Sequence, residues 1–261
     1  MINLGIDIGG SGIKGALVDV NTGQLTSERH RIPTPYPATP EAIVNVVNEI
    51  VQHFNFCGNL GIGFPSAIQN GIARTAANID ETWIGQNVNE LFSNATGCQA
   101  TVINDADAAG YAAMNYGVGK GVDGVVIFLT VGTGIGSAIY INGQLLPNTE
   151  FGHVYLKNGL KAEHYTSDAI RKRDDLSWEK WSKKFNKYLI AMEDLFYPDL
   201  FIIGGGISKK FDKFKDYLNI RTKVVAAQLQ NNAGIIGAAV SAKPVKQLKD
   251  NLKIKQKSGT K

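Results

Sequence analysis

Thiols are scarce in this chain of 261 residues, and several common signatures are missing from it. Cys57 and Cys98 are the only cysteines, without C-x-x-C spacing, and the four histidines, His30, His53, His153 and His164, are scattered. Neither a disulfide framework nor a cysteine-based zinc site is supported. No apolar run approaches the ~18 residues of a membrane-spanning helix, and the first residues enter a strand at once, without the pattern of a signal peptide. A cytoplasmic protein is expected. No G-x-x-x-x-G-K-[ST] occurs: Gly119-Lys120 is followed by Gly121, and Met114 stands where the first glycine belongs. The P-loop reading fails. Net positive charge is also missing from most of the chain. Seven lysines against Asp250 give the segment from Lys243 onward +6, which leaves −2 for the body within a total of +4. Charge runs at termini are usually solvated, and a polyanion-binding arm is the alternative.

What the chain does have is two turns built alike, Asp7-Ile8-Gly9-Gly10-Ser11-Gly12-Ile13-Lys14 and Thr130-Val131-Gly132-Thr133-Gly134-Ile135-Gly136-Ser137. Each arrives on a run rich in branched residues, Ile2 to Ile6 and Val125 to Leu129, as a buried strand does. Each leaves on another short extended run, Ala16 to Val20 and Ala138 to Ile141, closed by Asn21-Thr22-Gly23 and Asn142-Gly143. The latter is a strong hairpin signal. Gly10 to Gly15 also matches G-x-G-x-x-G, but the dinucleotide motif must open a helix, and the residues after Gly15 carry hairpin chemistry instead. The pattern of strand, glycine turn and strand, repeated half a chain later, is a duplication signal. Glycines in such turns let backbone N–H groups approach an anion closely.

Between the turns, Thr39-Pro40 and the spacing of Ile43, Val46, Val47, Ile50 and Val51 predict a capped helix. Leu60 to Phe64 and Ala100 to Ile103 read as strands and Asp105 to Tyr116 as a helix. In the second half, a mixed charged segment from about Lys157 to Asp175 precedes a helix from Ser177 to about Phe196. Leu200 to Ile203 is a buried strand, Gly204-Gly205-Gly206 another glycine turn, and Ala233 to Ala242 a short helix. The expected domains are an N-terminal α/β domain at 1–107 and a C-terminal α/β domain at 108–232. A helix at 233–242 near the hinge and a disordered lysine-rich tail at 243–261 complete the chain.

Sheets with helices on both faces place ligands outside their strand ends. Asp7 ends a strand beside Lys14, where a carboxylate can hold Mg²⁺ and an ammonium can offset phosphate charge. In Val102-Ile103-Asn104-Asp105-Ala106-Asp107 a strand runs into a pair of acids. Asp105 can accept a proton from an attacking hydroxyl, and either acid can cap the helix; Asp105 is assigned as the base and Asp107 as the cap. Asn148 to His153 places Glu150 and an imidazole three positions apart, polar groups suited to sugar hydroxyls. Asn78 near Trp83 is another hydroxyl contact.

Taken together, Asp7-x-Gly-Gly-Ser-x-x-Lys14, Asn104-Asp105, Gly132-Thr-Gly-x-Gly136, Glu150-x-x-His153 and Gly204-Gly-Gly-Ile-Ser208 resemble the sugar kinases of the ROK family (repressors, open reading frames, kinases). Thr75-Ala-Ala-Asn78, Asn148-Thr-Glu-Phe-Gly-His153 and Tyr197-Pro-Asp-Leu-Phe201 resemble its polyphosphate-using branch, and the likeness spans residues 2 to 242. It implies a two-domain α/β fold of the actin-like, hexokinase type, with ribonuclease H-like duplicated halves and a cleft between them. It implies that Asp105 is the catalytic base for the 6-hydroxyl of glucose and that Asn78, Asn104, Glu150 and His153 bind the sugar. Gly9, Gly10, Ser11, Gly12, Lys14, Thr133, Gly134 and Gly205 would serve the phosphates, and Asp7 the Mg²⁺, directly or through water. Many ROK members carry a Cys-rich zinc motif after the sugar-binding histidine, whereas Gly159 to Thr166 has no cysteine, so no zinc is expected. A homodimer is implied. The chain begins six residues before Asp7, so no repressor-type DNA-binding segment and no nucleic-acid role are expected. The donor, polyphosphate or ATP, and the sugar, glucose or mannose, stay open. Arg171-Lys172-Arg173, Lys183-Lys184, Lys209-Lys210 and the tail are candidates for a polyphosphate track.

Overall fold

The computed structural model describes residues 1–76, 79–157 and 159–242; the lysine-rich tail and Asn78 lie outside the described residues. The described chain divides into two compact units, residues 1–103 with 238–242, and residues 104–237. Helix 233–241 is thus divided between them.

The first unit opens with β1 (Ile2–Gly9) and β2 (Gly12–Asp19), an antiparallel hairpin in register from Ile2 opposite Asp19 to Gly9 opposite Gly12. Short strands β3 (Gln24–Leu25) and β4 (His30–Ile32) both pair with β2. Helix α1 (Pro40–His53) follows, begun by Thr39, whose hydroxyl accepts from the Ala42 amide, and by a proline whose missing N–H costs nothing there. Its apolar stripe, Ile43, Val47, Ile50 and Val51, is buried. The crossover lands on β5 (Asn59–Phe64), parallel to β1. A small hairpin, β6 (Ile68–Gln69) and β7 (Ile72–Ala73), leads to α2 (Val88–Thr96) and then to β8 (Gln99–Asn104), which completes the order β3-β2-β1-β5-β8. Leu4, Ile6, Ile8, Leu60 and Ile62 meet Phe64, Trp83 and Phe92 in one core.

The second unit repeats the plan. It starts at α3 (Asp105–Tyr116); β9 (Val125–Val131) and β10 (Ile135–Ile141) then form its hairpin. Asn142 and Gly143 take φ of 52° and 75° to turn into β11 (Gln144–Leu146), the left-handed pair this turn type requires. The charged segment folds into two short helices, α4 (Ala162–Thr166) and α5 (Asp168–Arg173), before α6 (Trp178–Phe196). Helix α6 buries Trp181, Phe185, Tyr188, Leu189 and Met192 against Ile127, Leu129, Phe201 and Phe214. It leads to β12 (Leu200–Gly204), parallel to β9, and then to β13 (Lys223–Ala226), parallel to β12, giving the order β11-β10-β9-β12-β13. In both units, therefore, a glycine-turn hairpin offers its first strand to a later parallel strand, which is the duplication expected from the two turns.

The small residues of α7 (Ala233–Ser241) are a packing requirement. A Cβ on Gly61 of β5 would overlap the Ala238 carbonyl, and one on Gly237 would overlap the Ala108 carbonyl. Asn3 is buried in β1 and donates to the Ala239 and Ala242 carbonyls, holding the last turn of α7 in the first unit. Among the described residues no helix is long and apolar enough to cross a membrane.

Candidate active site

In the first unit the hairpin register sets Lys14 directly opposite Asp7, with Nζ 3.6 Å from Oδ2. Burial pushes the Asp7 carboxyl above the usual carboxylate range, and the Lys14 ammonium opposes that shift. Beyond them Gly9-Gly10-Ser11-Gly12 makes the turn. A turn intended for an anion must not present its carbonyl oxygens to it, and two of them are engaged elsewhere. Thr34 Oγ1 donates to the Gly9 carbonyl at 2.5 Å and Arg31 Nη2 to the Ser11 carbonyl at 2.7 Å. The Arg31 guanidinium lies so close that a Cβ on Gly12 would come within 2.6 Å of its Nε. Arg31 and Thr34 were not among the expected site residues. Each acts through a contact some twenty positions away in sequence, for which no local signal exists.

In the second unit, β9 and β10 hold the turn Gly132-Thr133-Gly134, in which the Gly132 amide donates to the Gly134 carbonyl at 3.0 Å and Thr133 is exposed. Gly205 follows β12 with φ of 73°, and a Cβ there would sit 2.7 Å from the backbone N and O of Val131. Glycine is required at 205 twice over, by conformation and by contact. The structure thus brings Gly205 against the strand that carries the second glycine turn.

At the start of α3 the expected division of labour is corrected. The helix is capped by Asn104, whose Oδ1 accepts from the Ala106 and Asp107 amides at 2.8 and 3.2 Å. Asp107 is not the cap. It sits inside the first turn, points into the unit and is 1% exposed, its Oδ2 accepting from the Asn148 amide at 2.9 Å. Its Oδ1 has no hydrogen-bond partner among the described residues. Burial pushes this carboxyl up to about 7; the Asn148 N–H opposes the shift, and the negative charges of Asp105 and Glu150 add to it. Asp105, two residues earlier, is half-buried, and its Oδ1 accepts from the Ala106 amide.

The loop carrying Glu150 and His153 is tied to the same place. Asn148 adopts φ of 61°, and Ser137 of β10 donates to the Thr149 carbonyl at 2.7 Å and accepts from the Phe151 amide at 2.9 Å. Gly152 packs against the Ile135 carbonyl too closely for any side chain. Burial raises the Glu150 carboxyl; His153 opposes the shift, and the Glu163 carboxylate adds to it. Glu163, from α4, also lacked a motif to announce it. Its Oε1 lies 3.4 Å from His153 Nε2, and its Oε2 lies 2.7 Å from where a Cβ on Gly134 would stand. One carboxylate therefore borders both the imidazole and the glycine turn. Asn104, Asp105, Thr133, Gly134, Glu150, His153 and Gly205 all belong to the second unit; Asp7, Gly9, Gly10, Ser11, Gly12 and Lys14 belong to the first.

The ROK family model matches residues 3–169, well over half of the chain. This chain belongs to the ROK family. A polyphosphate glucokinase from Mycobacterium tuberculosis is 49% identical over 239 residues, which cover 91% of this chain and 90% of that one. Among solved structures, an inorganic polyphosphate/ATP-glucomannokinase from Arthrobacter sp. strain KM superposes with a TM-score of 0.88 at 44% identity, covering 92% of this chain and 98% of that one. A ROK family glucokinase from Streptomyces griseus, solved in complex with glucose and AMPPNP, gives 0.79 at 26% identity over 93% and 99% of the two chains. These likenesses fit the duplicated hairpin plan, and the two-domain, hexokinase-type α/β fold of ROK sugar kinases is the fold of this chain.

Proposed function

We propose that this ROK protein transfers the terminal phosphoryl group of inorganic polyphosphate to the 6-hydroxyl of glucose, giving glucose 6-phosphate. The observation that carries the reading is the near full-length similarity to a polyphosphate glucokinase, in a chain whose second unit gathers an acid, a Glu–His pair and a glycine turn. Asp105 accepts the proton of the 6-hydroxyl, which makes the oxygen a better nucleophile as it attacks phosphorus. Asn104, Glu150 and His153 orient the sugar through its hydroxyls; Asn78, outside the described residues, is assigned the same role. The amides of Gly9, Gly10, Ser11, Gly12, Gly134 and Gly205, with Thr133 and Lys14, receive phosphate oxygens, where fixed donors stabilise charge that develops during transfer.

Magnesium fits the residues present. Mg²⁺ is ordinarily held by one or two carboxylates together with substrate phosphates and waters rather than by an all-protein cage. Asp7, a single carboxylate at a strand end beside the first glycine turn, is such a donor; among the described residues no group of three or more His, Cys, Asp or Glu side chains is placed to hold a metal ion. Asp7 would hold the ion, directly or through its water, and the ion's charge would offset that of the phosphates.

Replacing Asp105 with Asn tests the base. Turnover is expected to fall by at least about 10²-fold while the glucose Kd, measured by calorimetry, stays nearly unchanged; near-normal turnover would remove Asp105 from the role. ATP as donor is the second reading, favoured by the likeness to the glucokinase solved with AMPPNP. A glucose 6-phosphate assay that crosses polyphosphate and ATP with glucose and mannose separates the two. Homodimerisation and a cytoplasmic location complete the reading and are checked by light scattering and by cell fractionation.

A further inference from the structure

The body of the chain sums to −2, yet residues 157–187 carry nine Lys and Arg against five Asp and Glu, an excess of four in one short stretch. Three of those acids are spent on pairs. Asp168 holds both Arg171 and Lys172 at 2.8 Å, Asp174 holds Arg173 at 2.7 Å, and Glu179 holds Lys183 at 2.6 Å. Glu163 is occupied by His153 and His164. Lys157, Lys180, Lys184 and Lys187 therefore have no carboxylate within ion-pair distance among the described residues.

Position makes these charges a track rather than a scatter. Lys180, Lys184 and Lys187 recur at spacings of four and three on α6, so they share one face and extend about 10 Å along the helix at 1.5 Å per residue. The buried stripe of Trp181, Phe185 and Tyr188 lies one residue on from each lysine, about 100° round the helix. Lys184 Nζ is held 4.9 Å over the Tyr165 ring. Lys187 and Lys157 line a groove of about 440 Å³ together with Tyr155 and Tyr165, with Asp194 as its one carboxylate.

The ridge is also built onto the second glycine turn. The Ala169 amide, in the first turn of α5, donates to the Gly132 carbonyl at 3.1 Å. Trp181 Nε1 donates to the Thr166 carbonyl at 2.9 Å, which fastens α6 to the junction of α4 and α5. A rigid run of packed elements thus joins the turn to the lysine face, and most of it lies past residue 169, where the family match ends.

The geometry points to this lysine face as the seat of the distal part of a polyphosphate chain whose terminal phosphate lies at the second glycine turn. The inference rests on polyphosphate being a donor. Such a chain carries a negative charge on every phosphate, and lysines held out of ion-pair contact and repeating along a line bind it by releasing its counterions, with little demand for exact geometry. A donor too short to extend from the turn to the lysines gains nothing from them. Over Arg171-Lys172-Arg173, which Asp168 and Asp174 hold, this favours the α6 face, and it replaces the partly neutralised Lys183 with Lys180 and Lys187.

The test compares the full-length wild type with the triple variant Lys180→Gln, Lys184→Gln, Lys187→Gln, and with the corresponding triple Arg variant. Glucose 6-phosphate formation is measured with long-chain polyphosphate, with tripolyphosphate and with ATP, across a salt series. For the Gln variant, the KM for long-chain polyphosphate is expected to rise about tenfold or more, and the slope of log KM against log salt to fall by about 2, near 0.7 for each lost contact. The KM values for tripolyphosphate and glucose stay within about twofold, and the Arg variant retains wild-type behaviour. A wild type that uses long-chain polyphosphate, with KM and salt slope unchanged in the Gln variant, overturns the track alone. A wild type that takes phosphate only from ATP overturns the donor reading, and the track with it.

Discussion

Asp107 is buried in the second unit with one oxygen unpartnered and its carboxyl raised to about 7. In the unfolded chain the same group titrates near 3.9, and each unit of difference corresponds to about 1.36 kcal/mol. The fold therefore disfavours the ionised carboxylate by about 4 kcal/mol once pH exceeds both values. The sign follows from proton counting. Between about pH 4 and 7 the native state holds more protons than the unfolded state, so stability falls as pH rises through that window and is level above it. Asp107→Asn keeps an acceptor for the Asn148 amide and removes the titration. Its stability relative to wild type is expected to increase by about 2.5 kcal/mol between pH 5 and pH 8. The assay is urea unfolding followed by tryptophan fluorescence in a Trp83→Phe background, so that the signal comes from Trp178 and Trp181, in the same unit as Asp107. A difference between variant and wild type that stays constant within about 0.5 kcal/mol from pH 5 to pH 8 would refute the reasoning.

Other perturbations read other parts of the structure. Gly61→Ala places a methyl group on the Ala238 carbonyl and is expected to cost about 1–3 kcal/mol or more; an unchanged Tm would show that α7 can yield. Gly205→Ala meets both a left-handed φ and the Val131 backbone, so polyphosphate and ATP KM values should rise together while glucose Kd does not; the control is calorimetry. Glu163→Gln removes the charge facing His153, and is expected to weaken glucose binding by about 1 kcal/mol, read as a KM increase for glucose larger than that for the donor. Arg31→Ala releases the Ser11 carbonyl and should raise the donor KM without moving glucose Kd.

Much of the architecture is written locally. The Asn142-Gly143 turn, the Thr39-Pro40 start of α1 and the helices at 105–116 and 178–196 rest on side-chain chemistry and apolar periodicity within a few residues. Helix α2 was legible by the same means, with Asn87 as cap and Gly97 in the left-handed conformation at its end, but it is absent from the expected elements. The charged segment 157–175 gave no apolar period to read, and its two helices owe their place to packing on α6.

The sequence by itself determined the two glycine-turn hairpins, their duplication and the residue types able to handle phosphate and sugar, because each depends on neighbours within one turn or strand. Tertiary structure decided which of the adjacent polar residues does what. Asn104, Asp105 and Asp107 are all competent caps by composition; the path of the backbone out of β8 put Asn104 at the cap and turned Asp107 inward to meet Asn148. Arg31 and Thr34 reach the first glycine turn, and Glu163 reaches His153 and the second, only because strand pairing and helix packing bring distant segments together. Such encounters follow from the burial of whole faces, which no short stretch of sequence contains.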